Sequence, residues 1–321
     1  MNKPDSHPQP CRPLVSVIVV SYGTRDLTVR AVTSSLAGTS LPVEVIVVDN
    51  GSTDGTADAI TAIGKPVRLI ARGRNIGFGR ACNLASEEAR GRYLLLLNSD
   101  TVCRPGAIDR LVAFAGANPG ARIWGGRTLY EDGRLNPNSC WRAKSVWSLF
   151  CSAVGLSAAL RGSRLFNPET YPDWRRDTVR EVDIVSGCFF LTERSFWQSL
   201  GGFDPRYFLY GEEADFCARA RRAGARPLFT PEAAIVHIEQ ASSRSPASRL
   251  AYLLAAQITL CRTHMRGPAQ ALSVGLIRSG VMLRLAVWSV CRLGGGGRRV
   301  EGLSRWAEVA RRRTEWWNGY T

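Results

Sequence analysis

The chain has 321 residues, 45% of them hydrophobic and 21% charged, with a formal charge of +15 and a pI near 10.0. Such a composition excludes a disordered protein and suffices for one large core or two modest ones. The basic excess points to acidic partners: nucleotides, nucleic acid or anionic lipid.

The charge is uneven. From Ser248 onward there are 12 Arg, three Glu and neither Lys nor Asp, so +9 of the +15 lies in the last quarter. What the tail binds is therefore distinct from what the front binds. The nine cysteines include no CxxC pair, which argues against zinc and thioredoxin-like sites. They read as reduced thiols of a cytosolic protein. Residues 1–13, polar and proline-rich, are expected to be disordered and lack the apolar stretch of a signal peptide.

The first half alternates strand and helix signals. "LVSVIVVSY" (14–22), "VEVIVVDN" (43–50), "VRLIAR" (67–72) and "YLLLLNSD" (93–100) are near-continuous apolar runs. Helical spacing separates them at 24–38, 58–63 and 76–91, and a further helix is predicted over 105–117. This order predicts an α/β fold with a mostly parallel, Rossmann-like sheet and helices on both faces. Right-handed crossovers then bring all four strand C-termini to one edge, where ligands gather. Strands are predicted at "ARIWGGRTLY" and over 182–193, and a strand pair over 225–238. Residues 141–175, rich in aromatics and Arg, read as a substrate-facing insertion. Three segments follow: 14–127 as a nucleotide-binding half, 128–246 as an acceptor half, and 247–321 as a basic, amphipathic helical extension. Residues 268–291 approach the length of a membrane span, but Arg278 and Arg284 are costly at a bilayer centre. The reading is a helix lying in the interface, with its arginines snorkelling to the headgroups.

Several polar residues fall at the predicted sheet edge. Asp49 ends a buried run too early to cap the next helix, and its carboxylate can accept from a pyrimidine N3–H or a ribose hydroxyl. Ser52 and Asp54 follow Asn50 in a polar turn and would equally serve as helix caps. In "RGRNIGFGRACN", Gly77 and Gly79 allow close backbone approach to a ligand. Free N–H groups at the helix start favour phosphate, and Arg74 and Arg80 add charge. Neither GxGxxG nor GxxxxGK[ST] is present. Asn98, Ser99 and Asp100 emerge at the same edge. One carboxylate, with diphosphate oxygens and water, can hold Mg²⁺ or Mn²⁺. Glu212, Glu213 and Asp215 suit the first turn of a helix electrostatically. They also follow Tyr207, Phe208 and Tyr210, which can wall a sugar site, and a carboxylate there can deprotonate an attacking hydroxyl. His237, at the end of a buried run, is either structural or a neutral nitrogen ligand.

In this order, "VSVIVVSY", "VEVIVVDNGSTDGT", "RNIGFGRACN", "YLLLLNSD", "EVDIVSGCFFLTERSFWQSLGGFDPRYFLYGEEADFCARARRAG" and "PEAAIVHIEQASS" resemble the family 2 glycosyltransferases of GT-A fold, over roughly residues 14–245. The resemblance is to the bacterial rhamnosyltransferase-like branch that builds cell-surface polysaccharides. It implies an inverting, metal-dependent transferase using a nucleotide-diphosphate sugar, with dTDP-L-rhamnose as the expected donor. The acceptor would be a glycan or a polyprenyl-diphosphate-linked sugar, met at the inner face of the membrane. By that likeness Ser21, Tyr22, Asp49, Asn50, Ser52, Asp54, Arg74, Asn75, Gly77, Asn83, Asn98, Ser99 and Asp100 would bind the donor. Asp183, Ser186, Gly187, Cys188, Tyr210 and Glu212 would meet the acceptor. Asp100 and His237 would hold the metal, and Glu213 would be the base, with Glu212 and Asp215 as alternatives. Two positions depart from the family pattern: Asn98 stands where the metal motif has its first Asp, and Glu213 is one methylene longer than the usual Asp. A sugar nucleotidyltransferase is a weaker reading, because "SYGTRDLT" lacks a Gly-rich basic loop after the first strand. A nucleic-acid binder is disfavoured by the acids at the sheet edge and the apolar tail, although its Trp and Arg could stack bases.

Overall fold

The computed structural model describes residues 12–238, 245–293 and 297–321, without side-chain detail between 292 and 303. The expected disorder of residues 1–13 lies, except for Arg12 and Pro13, outside the described residues, as does most of the glycine run at 294–297. The first half is β1 (Val15–Ser21), α1 (Arg25–Ala37), β2 (Val43–Asp49), α2 (Thr56–Ile63), β3 (Val67–Ala71), α3 (Phe78–Glu88), β4 (Tyr93–Asn98), β5 (Thr101–Cys103) and α4 (Ala107–Ala117). Then come β6 (Ile123–Leu129), β7 (Leu135–Asn136), β8 (Cys140–Trp141), α5 (Val146–Ala153), α6 (Leu156–Ala159), β9 (Arg180–Glu181), β10 (Ile184–Val185), β11 (Phe189–Glu193), α7 (Arg194–Ser199), α8 (Glu212–Arg222) and β12 (Leu228–His237). Helices α9 (Pro246–His264), α10 (Gly267–Leu293), α11 (Gly297–Arg311) and α12 (Arg313–Trp316) complete the chain.

The main sheet runs β3-β2-β1-β4-β11-β6-β12-β5, with β7 and β9 added beside β6 and β12. The pairs among β1 to β4 are parallel, as the apolar runs predict, and β11 joins β4 antiparallel. Alternation sorts the core onto two faces. Val17, Val19, Leu95 and Leu97 pack with Val32, Ile60 and Leu111 on one side. Ile18, Leu94 and Leu96 pack with Ala81, Ala85, Phe190 and Phe216 on the other. Leu94 to Leu97 are almost wholly buried, and each such side chain stabilises the fold by about 1.5–3 kcal/mol.

Three expectations are corrected. The strand foreseen over 182–193 is two strands, β10 and β11, in different sheets, because Ser186 turns to donate its N–H to the carbonyl of Ser139 (2.9 Å). The strand pair foreseen over 225–238 is one long strand, β12, whose register with β6 shifts between Thr230 and Ala234. Pro231 has no N–H for the ladder, and the strand bulges there rather than turning back. Arg278 and Arg284 do not reach outward. Arg278 donates to the carbonyl of Trp317 (2.7 Å) and stacks on its ring, while Arg284 donates to the carbonyls of Ala153 and Gly280. The extension has a core of its own, with Ala251, Ile258, Ile277, Val281, Val309 and Trp316 gathered around Leu149 of α5.

Candidate active site

The C-terminal ends of β1, β2 and β4, the segment between β10 and β11, the start of α8 and one face of α9 enclose a cleft of about 780 Å³. Ser21 closes β1 with its hydroxyl against that of Thr28 (2.7 Å), and Tyr22 stands half-exposed at the rim. Asn50 donates to the Asn75 side chain (2.9 Å) and accepts from the N–H of Ile76 (3.0 Å), while Asn75 accepts from the N–H of Gly77. These two amides hold the glycine turn. At Gly77, φ is 89°, and a Cβ would lie 2.5 Å from the carbonyl oxygen of Phe208. Gly77 lines the cleft, but the close approach it permits is made by the Phe208 backbone.

Asn98, Ser99 and Asp100 all line the cleft where β4 ends. The chain then turns into β5, which pairs antiparallel with β12 and sets Thr101 opposite His237. That pairing brings His237 Nε2 to 3.2 Å from Asp100 Oδ1. Burial by itself would lower the His237 pKa, but hydrogen bonds to Asp100 and Cys188 win and raise it to about 10. A cation bound here must displace that proton.

Across the segment Ser186-Gly187-Cys188 stands the acid pair. The Cys188 carbonyl accepts from the N–H of Asn98 (3.3 Å), and the Gly187 Cβ position is 3.9 Å from the Cβ of Glu213. Glu213 and the Asp100–His237 pair thus flank one short stretch of chain. Burial pushes the Glu213 carboxyl above its ordinary value. Glu212 is pushed up further, by burial and then by the neighbouring Glu213 charge, and its Oε2 is buried without a hydrogen-bond partner among the described residues. Asp183 also lines the cleft, held by Arg221 (3.0 Å) and the N–H of Ala143 (2.8 Å). Tyr210, at φ 68°, leads into α8 beside it.

Other expected residues do not line the cleft. Asp49 accepts from the N–H of Ser52, so it shapes the loop it was expected to read from. Ser52 accepts from the N–H of Gly23, and Asp54 accepts from the N–H groups of Arg25 and Thr56, which ties the β1–α1 and β2–α2 loops together. Arg74 is exposed away from the cleft. Asn83 is engaged on both sides by the Phe203 backbone. Asp215, weighed as a base, is buried between Arg219 (2.8 Å) and His264 (2.8 Å). It anchors α8 to α9.

The cleft also holds residues that sequence reasoning passed over. Trp141, Arg142 and Lys144 come from the aromatic- and Arg-rich region, which was the one signal available. Gln257 and His264 come from α9, whose helical pattern gave no sign of a site. Tyr320 reaches back from the C-terminal end to donate its hydroxyl to the carbonyl of Leu209 (2.5 Å), pinning the loop before Glu212.

The sheet and cleft together have the architecture of a GT-A glycosyltransferase. A mannosyltransferase from Pyrobaculum calidifontis, solved with GDP-mannose and Mn²⁺, superposes with a TM-score of 0.58 at 17% identity, covering 94% of this chain and 87% of that one. Residues 16–200 match Glycosyl transferase family 2, and the chain belongs to that family. It is 33% identical over 253 residues to the N-acetylglucosaminyl-diphospho-decaprenol L-rhamnosyltransferase of Mycobacterium tuberculosis, covering 74% of this chain and 80% of the relative. Over 89 residues it is 39% identical to an Escherichia coli UDP-Glc:α-D-GlcNAc-diphosphoundecaprenol β-1,3-glucosyltransferase, covering 27% of this chain and 35% of that protein.

The buried acids set opposite signs for stability. Glu212 has a raised pKa in the folded state, so its contribution is present below the unfolded pKa and lost as pH rises through the folded one. Glu212→Gln is therefore expected to melt above the wild type at pH 8, with the difference closing toward pH 4. Asp215→Asn leaves Arg219 and His264 without their carboxylate and should lose about 3 kcal/mol at pH 8. Thermal melts across pH check both.

Proposed function

We propose that the protein is an inverting glycosyltransferase that moves L-rhamnose from dTDP-L-rhamnose to a polyprenyl-diphosphate-linked sugar, in cell-surface polysaccharide assembly at the inner face of the membrane. The observation that carries the catalytic part is that Glu213 and the Asp100–His237 pair both stand next to Ser186–Cys188 in one cleft. The rhamnosyl donor and the lipid-linked acceptor are supported by the name of the Mycobacterium tuberculosis relative.

The acceptor hydroxyl lies against Glu213, which takes its proton as the oxygen bonds to the anomeric carbon. The bond from that carbon to the donor diphosphate breaks in the same displacement, and configuration inverts. Ser21, Asn50 and Asn75 edge the donor side, and Asp183, Ser186 and Tyr210 the acceptor side. Among the described residues no three His, Cys, Asp or Glu form a closed metal cage. One carboxylate and one imidazole fit an open site, whose remaining positions are left to substrate oxygens and water. Asp100 and His237 would hold Mg²⁺ or Mn²⁺ there, its charge offsetting that of the leaving diphosphate when bound.

With dTDP-L-rhamnose and a diphosphate-linked acceptor, Glu213→Gln is expected to lose about 100-fold or more in kcat while donor binding persists. Because the Glu213 pKa is raised, the acid limb of wild-type kcat/KM should lie above the ordinary carboxylate range, activity falling as pH drops through it. Asp100→Ala should abolish the dependence on added Mn²⁺. Full turnover by Glu213→Gln would show that another group is the base, and turnover with a different nucleotide sugar alone would replace the donor.

The same reading places the exposed side of α10 on the bilayer. Leu272, Leu283, Val287 and Val290 are each 45–69% exposed, on a helix long and apolar enough to cross a membrane. Leu283→Glu with Val287→Glu should cut co-sedimentation with anionic vesicles at least tenfold while the melt is unchanged. Undiminished co-sedimentation would remove α10 from the membrane contact.

A further inference from the structure

Beside the cleft, on its acceptor side, lies a second pocket of about 290 Å³ that the displacement above does not use. Its wall includes Arg142, Arg164, Tyr171, Asp173 and Arg180. Arg164 is paired with Asp173 (2.5 Å). Arg142 and Arg180 form no ion pair among the described residues, and both guanidinium groups sit over the one Tyr171 ring, at 5.1 and 4.6 Å. Arg180 also lies 5.1 Å from the Trp174 ring. Tyr171 and Trp174 are buried, and Tyr171 takes a left-handed φ of 50°, uncommon for an aromatic residue. The chain thus holds two like charges over one aromatic platform, with the one carboxylate beside them, Asp173, already paired to Arg164, so an anion that meets both guanidinium groups is favoured.

Arg142 lines both this pocket and the main cleft. Its own N–H is fixed by the carbonyl of Glu169 (2.8 Å), and the next residue, Ala143, donates to Asp183 in the cleft. A ligand reaching from the acceptor side of the cleft therefore meets Arg142 on its way into the pocket. Beyond Arg164 the surface turns apolar. Leu165 is 58% exposed, and Trp147, which donates to the Leu165 carbonyl (2.7 Å), stacks on exposed Phe150.

We propose that this pocket binds the diphosphate of the acceptor, with Arg142 and Arg180 as its ligands and the acceptor's lipid leaving over Trp147, Phe150 and Leu165. The inference rests on the reading that the acceptor carries a diphosphate. Planar guanidinium groups match phosphate oxygens two at a time, which an ammonium cannot do. The donor's diphosphate belongs with Asp100 and His237 at the sheet edge, so this anion site serves a different molecule.

The test compares two acceptors: a sugar diphosphate on a short alkyl chain, and the same sugar as a phosphate-free alkyl glycoside. Arg142→Gln and Arg180→Gln should each raise the KM for the diphosphate acceptor about tenfold or more, with a small change in kcat. The KM for the glycoside should not move in Arg180→Gln, whose side chain lies outside the main cleft, and Arg142→Lys should recover part of the Arg142→Gln loss. Inorganic pyrophosphate, titrated into wild type already saturated with nucleoside diphosphate, should find one further site that Arg180→Gln lacks. An unchanged acceptor KM in both Gln variants would overturn the proposal. So would pyrophosphate binding of equal strength in Arg180→Gln, or variants that lose only anionic-vesicle binding, which would make the pocket a headgroup contact. Equal use of both acceptors by the wild type would instead overturn the diphosphate-acceptor reading itself.

Discussion

Everything in the site depends on the burial of β4. Its four leucines lie at the centre of the sheet, between β1 and β11, and leave no room for a polar side chain until Asn98. Parallel neighbours end at the same level, so Ser21 and Asn50 surface beside Asn98 and Asp100. The sheet therefore acts as a ruler. A polar group one residue earlier in β4 would lie in the core and cost several kcal/mol unless it found a partner. The antiparallel return of β12 against β5 uses the same ruler from the other direction and delivers His237 to Asp100.

The acid pair obeys a different constraint. Glu212 and Glu213 open α8, where the helix dipole favours negative charge, yet Glu212 is buried and Glu213 half-buried beside it, which opposes it. Burial wins, and the carboxyls rise. What keeps them there is the neighbouring network: Asp215 bonded to Arg219 and His264, Arg219 to the carbonyls of Leu200 and Gly202, and Tyr320 to Leu209. Those bonds stabilise a helix start that its own charges disfavour.

The strands and helices of the first half were legible because their signals are local: β-branched runs, glycine stops and period. So was the sheet edge, since a parallel α/β order fixes it. The pairing of Asp100 with His237, 137 residues apart, was not legible from spacing; it came from resemblance, because only the fold sets β5 beside β12. Asp49, Ser52, Asp54 and Asn83 show the same limit of local signals. A polar side chain at a strand end serves a ligand or the loop equally well in sequence, and here each is engaged by backbone N–H groups. The break between β10 and β11 had a signal in Gly187, but the surrounding apolar residues masked it. In the extension, Arg278 and Arg284 looked bound for headgroups because their carbonyl partners lie in distant parts of the chain.

The boundary that composition draws near residue 246 is not a seam of the folded molecule. Helix α9 supplies one wall of the cleft, and the hydroxyl of Tyr320 holds the loop that carries the acids. A chain cut at that boundary would keep the edge of the sheet where β1, β2 and β4 end and lose the support of the start of α8. The edge of the sheet is thus built by the alternating half of the sequence, while the loop before Glu212 is held by a residue from the far end of the chain.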